Sequence, residues 1–465
     1  MPKEPTPALT REICAFALET RIENIPVEVL ARGRIHILDT LGVALAGAKA
    51  EASGIVRDHI EALGAAGQAR IFGTGVRTAP RFAAMANGTA MHTDNFDDTS
   101  PQAAPDRNGG IHASAAALPA ALALAEERGL GGAAVSAAYH VGVEIACRLN
   151  HAVDNRHYQG GFHTTGTLNV FGAAAAAARL IGLDAARTSH AIAIAASQAS
   201  GIRANFGAMA EQTHAGHAAE CGLNAADLAR RGLTGAADAM EARFGWMDAA
   251  SLGGGWVREA ICGRLGRPWA FEDPGMSIKP WPNGALTHPA MTLVSRLRRE
   301  HGIAPEAVEA VSVRTNARVR DILVNDAPAD AMQAKFSIPF AVGCLLVEGH
   351  AGLAEFTDET VARDDVRAMM ARISYTAYER EEPGYTNLTT LVEIRLADGT
   401  VHKDRADQAV GGARNPMSWD EALEKFRGCC AYAGMDAARA DGIAAMVAGF
   451  EDIPDIGALT ARLAG

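Results

Sequence analysis

Apolar residues recur every three to four positions through most of the first 268 residues, which is the spacing of helices with a buried face. Three stretches show it clearly: EVLARGRIHILDTLGVALAG (28–47), HASAAALPAALALAEERG (112–129) and LNVFGAAAAAARLIGL (168–183). Alanine is abundant in them, and its small side chain favours helix and lets helices approach closely. The series, joined by glycine-containing loops, predicts a packed all-helical domain over residues 1–268.

The pattern changes after residue 268. RPWAFEDPGMSIKPWPNGALTHP (267–289) is rich in proline and tryptophan, which predicts a linker. AVEAVSVRTN (307–316) alternates as a strand does, and LVEIRLADGTVHKDR (391–405) predicts a hairpin that turns at Asp398–Gly399. QAKFSIPFAVGCLLVEG (333–349) is helical between them. We therefore predict a smaller α+β domain over residues 269–405.

The remaining residues return to the helical pattern. SWDEALEKFRGCCAYAG (418–434) has helical spacing, and we expect residues 406–465 to pack back on the first domain. The predicted fold class is therefore mainly α, with a large discontinuous all-helical domain and a smaller α+β domain. A cleft between two domains is a usual place for a small-molecule site.

Composition narrows the possible partners. The net charge of −11 argues against nucleic acid and anionic membranes as partners. No apolar run reaches the roughly 18 residues of a membrane span, and the N-terminus lacks the order of a signal peptide. The seven cysteines show no zinc-site spacing, and no glycine-rich nucleotide loop follows a strand. We expect a cytoplasmic protein with reduced thiols.

Polar residues interrupt the helical pattern in five places. These are MHTDNFDDTS (91–100), RNGGIHAS (107–114), NRHYQGGFHTTGTLN (155–169), GIRANFGAMAEQTHAGHAAECG (201–222) and SIKPWPNGALTHP (277–289). Histidine is the natural base near neutral pH, and arginine or lysine in a loop can hold a carboxylate. The chain has only six lysines, so Lys279 inside the linker is a better candidate than an average lysine.

Several of these stretches resemble the MmgE/PrpD family, which includes 2-methylcitrate dehydratase, cis-aconitate decarboxylase and iminodisuccinate epimerase. The resemblance is carried by NGTAMHTDNFDDT, GFHTTGTLNVFGAAAAAARLIGL, MAEQTHAGHAAECG, KPWPNGALTH and AKFSIPFAVG, whose order and spacing span most of the chain. It implies a homodimer in which the smaller domain is a lid. It also implies a site in the cleft that uses neither a cofactor nor a metal.

The resemblance also assigns roles to individual residues. It makes His163, Tyr158 and His112 the catalytic candidates, and it makes Lys279 a residue that binds a substrate carboxylate. Thr99 would contact the substrate as well. Without the resemblance, the histidine His163 could simply cap the helix that follows it, and His112 could be an ordinary helix N-terminal residue.

Three positions depart from the family pattern. Asn95 stands where an aspartate is usual, Glu211 where a substrate-binding lysine is usual, and Gly284 where decarboxylase-type members have a histidine. Asn95 and Glu211 remain substrate-binding candidates, together with Arg203 and His214. A glutamate in place of a lysine changes the local charge by two units, which favours a substrate with an amine or with fewer carboxylates.

The acid-rich stretch 91–100 leaves two interpretations open. His92, Asp97 and Asp98 are structural if the acids accept backbone N–H groups ahead of a turn at Asp98–Pro101. They are ligands of a metal-dependent hydrolase if His92, Asp94, Asp97 and Asp98 share an ion. No HExxH pair supports the hydrolase.

The expected function is a cofactor-independent enzyme that abstracts a proton next to a carboxylate of a small polycarboxylate or of an amino- or imino-diacid. A lyase of the dehydratase type is the leading interpretation. An epimerase of the iminodisuccinate epimerase type is the first alternative, since both reactions begin with the same proton transfer. The second alternative is a homologue that has lost catalytic activity and serves as a binding protein.

Overall fold

A computed structural model describes residues 9–101 and 110–465 of the chain. Arg107, in the second polar stretch, lies outside the described residues. The α-helices are α1 Leu9–Glu19, α2 Val27–Gly47, α3 Glu51–Leu63, α4 Pro80–His92, α5 Ser114–Arg128, α6 Gly132–Ala152, α7 Arg156–Gln159, α8 Thr164–Ile181, α9 Ala185–Ala196, α10 Met209–Gln212, α11 His214–Arg230, α12 Trp246–Ala250, α13 His288–His301, α14 Ala317–Ile322, α15 Ala331–Ala334, α16 Ile338–Glu348, α17 Asp358–Ala362, α18 Asp364–Met370, α19 Trp419–Ala433, α20 Ala437–Ala448 and α21 Gly457–Leu463. The strands are β1 Ala69–Arg70, β2 Arg77–Thr78, β3 Val308–Thr315, β4 Ile373–Ala377, β5 Thr390–Leu396 and β6 Val401–Ala406.

The chain divides into two compact units, one of residues 1–278 with 418–465 and one of residues 279–417. The first division lies ten residues later than the change of sequence pattern suggests. Trp269, Ala270, Phe271 and Met276 explain the difference, because their side chains are buried in the core of the helical unit. Proline-rich composition therefore marks an irregular segment here, while the packing of its apolar side chains decides to which unit it belongs.

The helical unit packs its helices closely. Gly88 in α4 lies against Gly216 in α11, where a Cβ on Gly88 would come within 2.8 Å of the Gly216 Cα atom. The two backbones can approach so closely only because both residues lack a side chain. This contact brings the C-terminal end of α4 next to the N-terminal end of α11.

The predicted fold class, mainly helical with a small sheet domain, is confirmed. The three predicted helices correspond to α2, α5 and α8, and the returning helix corresponds to α19, which begins with a capping box of Ser418 and Glu421. The expectation that the first domain is entirely helical is wrong in one detail. Strands β1 and β2 form a two-stranded antiparallel sheet in that unit. Two residues per strand are too few for an alternating sequence pattern.

The second unit contains a four-stranded sheet with the order β4-β3-β5-β6. The predicted strand is β3, and the predicted hairpin joins β5 to β6 with Gly399 at a φ of 87°. Strand β4 runs parallel to β3 and was not predicted. Helices α13 and α16 pack against the sheet, and their apolar side chains form the core of this unit.

Within the two described ranges, no helix combines the length and the apolar character that crossing a membrane requires.

Candidate active site

Asp97 contacts two histidines in the helical unit. Its Oδ2 atom lies 2.8 Å from Nδ1 of His92, the last residue of α4, and 3.1 Å from Nδ1 of His112, which precedes α5. Asp97 is fully buried. Burial by itself raises the pKa of a carboxyl group, but the two histidines outweigh it and hold the pKa of Asp97 well below its usual range. Asp97 is therefore an anion that fixes both rings.

His92 also faces a second carboxylate. Its Nε2 atom lies 3.2 Å from Oε1 of Glu211 in α10. Burial lowers the pKa of a histidine, yet Asp97 and Glu211 together raise the pKa of His92 to about 10. The same contact lowers the pKa of Glu211, against the effect of its burial. At neutral pH His92 is therefore a cation held between two anions.

His163 and His214 form a direct pair. His163 is the N-cap residue of α8, but its side chain does not cap the helix. Instead its Nδ1 atom lies 2.8 Å from Nδ1 of His214, the first residue of α11. The His163 ring is stacked beside His92, with 5.7 Å between the ring centroids. Burial, followed by the positive charge of His92, holds the pKa of His163 well below its usual value, and burial lowers the pKa of His214 as well. His163 is therefore a neutral imidazole.

Local backbone structure explains why these two histidines meet. Gly161, with a φ of 102°, ends the turn after α7, and Phe162 then pairs with Ile202. The backbone N–H of His163 donates to the carbonyl of Gly201 at 3.0 Å. The segment before α8 thus pairs with the segment that leads to α10 and α11. This pairing places His163 next to His214.

Tyr158 and Arg203 form a second pair near the cluster. The guanidinium carbon of Arg203 lies 3.9 Å from the centroid of the Tyr158 ring, and Nη1 donates to the Tyr158 carbonyl at 2.9 Å. Phe206 connects this pair to the histidines, because its ring centroid lies 4.8 Å from that of His163 and 6.5 Å from that of Tyr158. The Arg203 cation and the Tyr158 phenol are therefore separated from His163 by the ring of Phe206.

The other predicted residues lie in the following places. Asn95, on the segment that carries Asp97, has a left-handed backbone with a φ of 55°. Thr99 pairs with Ser277 through both backbone groups at 2.8 Å, and its buried Oγ1 has no hydrogen-bond partner among the described residues. Lys279 is buried and is the first residue of the second unit.

Among the described residues, no potential metal-binding group includes Asp94 or Asp98, so the predicted hydrolase ligands do not come together. Asp98 is directed away from His92, and its Oδ2 atom contacts Nδ1 of His36 at 2.7 Å and the hydroxyl of Ser114. The predicted turn at Asp98–Pro101 is also wrong, since Thr99 and Ser100 lie in short antiparallel bridges. The two adjacent aspartates therefore contact different histidines, Asp97 contacting His92 and His112 while Asp98 contacts His36.

Neither interpretation of the acid-rich stretch, structural or metal-binding, predicts a catalytic role for His92 and Asp97, yet His92 stacks beside His163 and Asp97 contacts His112. The sequence does place an acid, Asp97, between His92 and His112, but it does not show that this acid is buried. The link to Glu211 carries no signal of that kind, because it joins positions 119 residues apart in the chain.

The arrangement supports proton transfer. His163 is neutral and can accept a proton, while the cation of His92 lies beside it. One ring nitrogen of His92, one of His163 and one carboxylate oxygen of Glu211 also lie within 4.8 Å of one another. Imidazole nitrogens with a carboxylate oxygen are a ligand set for divalent transition metals.

Comparison with known proteins gives matches over nearly the whole chain. The family described as MmgE/PrpD N-terminal domain matches residues 11–259, and the MmgE/PrpD C-terminal domain matches residues 281–449. The cis-aconitate decarboxylase of Homo sapiens is 26% identical over 455 residues, which cover 96% of this chain and 92% of that protein. The cis-aconitate decarboxylase of Aspergillus terreus (strain NIH 2624 / FGSC A1156) is 24% identical over 448 residues, 90% of this chain and 88% of that protein.

Proposed function

We propose that this chain, which belongs to the MmgE/PrpD family, is a lyase that removes a proton from the carbon next to a carboxylate of a small polycarboxylate or amino- or imino-diacid. One observation carries the proposal. His163 is neutral, its Nδ1 atom is hydrogen-bonded to His214, and its ring stacks beside the cationic ring of His92. A neutral imidazole can accept the proton, and the positive charge of His92 can stabilise the negative charge that develops on the substrate as the proton leaves.

The proposed reaction is an elimination. His163 takes the proton from carbon, and the C–H electron pair becomes the second bond of an alkene. The bond to a hydroxyl group on the neighbouring carbon breaks, and the hydroxyl leaves as water with a proton donated by Tyr158. Charge that builds on the substrate carboxylate needs a cation close by. Arg203, whose guanidinium carbon lies 3.9 Å from the centroid of the Tyr158 ring, is a cation beside this donor.

The charge of the cluster bears on the substrate. His92 is cationic, but Asp97 and Glu211 both contact it and more than balance its charge. A substrate with three carboxylates would meet the repulsion of Glu211. We therefore favour a substrate with two carboxylates, or one that places an amine or imine next to Glu211.

Epimerisation is the second candidate. The supporting observation is that Phe206 contacts the rings of both His163 and Tyr158, so two proton-transfer groups flank one residue. In this reaction His163 removes the proton on one face and Tyr158 returns a proton on the other. The first step is identical to that of the elimination.

Several further features belong to the proposal. The enzyme works without a cofactor, so activity survives exhaustive chelation and dialysis. It is a cytoplasmic homodimer that associates through the alanine-rich helical unit, and light scattering at micromolar concentration tests this.

Lys279 binds a substrate carboxylate, so Lys279→Ala raises KM more than it lowers kcat.

The decisive experiment is a screen in heavy water. Small di- and tricarboxylates and amino- or imino-diacids are incubated with the protein, and NMR follows deuterium at carbon and any new alkene signal. Deuterium entry together with an alkene supports the lyase. Deuterium entry with inversion and no alkene supports the epimerase, and the absence of both with every acid contradicts the proposal.

A further inference from the structure

The cluster around His92 has a feature that proton transfer does not require. Nε2 of His92 is buried and lies 3.2 Å from Oε1 of Glu211, yet among the described residues it has no partner with hydrogen-bond geometry. The two groups are at ion-pair distance, but the ring N–H is not directed at the carboxylate oxygen. Two ligand atoms bound to one tetrahedral ion at about 2.0–2.2 Å lie about 3.3–3.6 Å apart. The 3.2 Å between His92 Nε2 and Glu211 Oε1 is therefore close to the distance expected between two ligand atoms of one such ion.

We propose that His92, Glu211 and His163 form a site for a divalent transition-metal ion of the zinc and cobalt class. His92 supplies Nε2, Glu211 supplies a carboxylate oxygen and His163 supplies a ring nitrogen. Two imidazoles and one carboxylate are a common ligand set for such ions, with water in the remaining position.

The surroundings of His92 are those of a metal ligand. Asp97 accepts the Nδ1–H of His92 at 2.8 Å, which leaves Nε2 as the ligating atom. Metal-binding histidines usually donate their other ring N–H to a carboxylate in this way, and the contact fixes the ring and raises its basicity. Asp97 is fully buried and is held in turn by His112, so the orientation of His92 is fixed before any ion binds.

The third ligand requires a small adjustment. The three ligand atoms lie within 4.8 Å of one another, so closing them around one ion moves a side chain by at most about 1–1.5 Å. Glu211 can supply this movement, because its side chain is 25% exposed and α10 is a helix of only four residues. The bound ion replaces the proton on His92 Nε2, which is released to solvent.

Metal binding has a consequence for activity. A ring nitrogen of His163 that ligates an ion cannot accept a proton from carbon, so the ion is an inhibitor. This consequence rests on the proposed function, whereas the metal site itself does not.

The test is a direct titration of the untagged, metal-free, full-length protein with Co²⁺ in the absence of substrate. We expect visible d–d absorption of a four- or five-coordinate ion with one ion per chain. Glu211→Gln should weaken Co²⁺ binding by at least about 10-fold, since loss of even an outer-shell partner costs about 10–100-fold. Glu211→His should retain binding, because imidazole replaces the carboxylate as a ligand. Melting temperatures show whether each variant is folded.

A matched control separates this site from adventitious binding. Nε2 of His217 lies 3.5 Å from Sγ of Cys221, and both residues belong to α11. This histidine–cysteine pair is a second place where Co²⁺ could bind. His217→Ala should leave the titration unchanged. The proposal is overturned if Glu211→Gln binds Co²⁺ as the wild type does, if only His217→Ala loses binding, or if the wild type shows no d–d band. Because no substrate is present, none of these results depends on whether the lyase proposal holds.

Discussion

The Nδ1 atoms of His163 and His214 lie 2.8 Å apart, so one ring donates a hydrogen to the other and both are neutral. If His163 is the donor, its Nε2 atom carries the free lone pair and is the basic nitrogen. The contact thus selects which nitrogen of the candidate base is available, a role that aspartate or a backbone carbonyl often has for catalytic histidines.

His163→Ala should lower turnover by about 10²–10⁴-fold, the usual contribution of a positioned acid or base. His217→Ala is the matched control, because His217 belongs to the same helical unit and makes no contact with Asp97 or His163 among those described. Turnover and melting temperature are measured for both. A folded His163→Ala variant with near-normal turnover would remove His163 from the mechanism and leave His112 as the next candidate.

His214→Ala should lower turnover by up to about 10-fold, because it removes one neutral hydrogen bond worth about 0.5–1.5 kcal/mol. His214→Asn should recover most of that loss, since the amide can still accept the hydrogen from His163. Steady-state kinetics of the two variants distinguish orientation from simple packing. Equal losses in Ala and Asn would argue that the pair does not orient His163.

Tyr158→Phe should separate the two candidate reactions. The substitution keeps the ring on which Arg203 stacks, at 3.9 Å, and removes only the hydroxyl group. In a two-base epimerisation the product disappears while deuterium still enters from one face. In an elimination the alkene forms more slowly. NMR in heavy water reads both, and unchanged rates in both measurements would show that the hydroxyl has no part in either reaction.

Glu211→Lys should shift preference towards substrates with an additional carboxylate, by about 1 kcal/mol or a few-fold in relative kcat/KM, because the contact is partly exposed. Glu211→Gln, which removes the charge without reversing it, should give an intermediate ranking. Competition between di- and tricarboxylates measures the ranking. An identical order in all three proteins would show that Glu211 does not face the substrate.

The pH dependence of stability should reveal the cation of His92. The pKa of this group is raised from 6.5 to about 10 in the folded protein, so its stabilising effect is complete below pH 6.5 and is lost as the pH rises towards 10. Glu211→Gln removes one of the two carboxylates that raise this pKa. Urea unfolding should therefore show a smaller loss of stability over this range in Glu211→Gln than in the wild type. Parallel losses would contradict the ion pair.

Local sequence patterns were enough to predict helices α2, α5, α8, α16 and α19, the β5–β6 hairpin and the mainly helical fold class. Each of these depends on residues close together in the chain: apolar spacing in α2 and α8, the Asp398–Gly399 turn, and the capping box of α19. The polar stretches that interrupt the helical pattern also drew attention to His112, His163 and His214, and the family resemblance then gave His112 and His163 their candidate catalytic roles.

Which of these residues contact one another depends on the packing of helices that are distant in the chain. His163 and His214 are 51 positions apart, and Glu211 lies 119 positions from His92. Their contacts depend on how closely α4 and α11 approach at Gly88 and Gly216, which no local pattern records. The charge of each group depends in turn on those contacts. The sequence allowed Asp97 to be an acid ahead of a turn or a metal ligand, whereas in the structure it is a buried anion that contacts both His92 and His112.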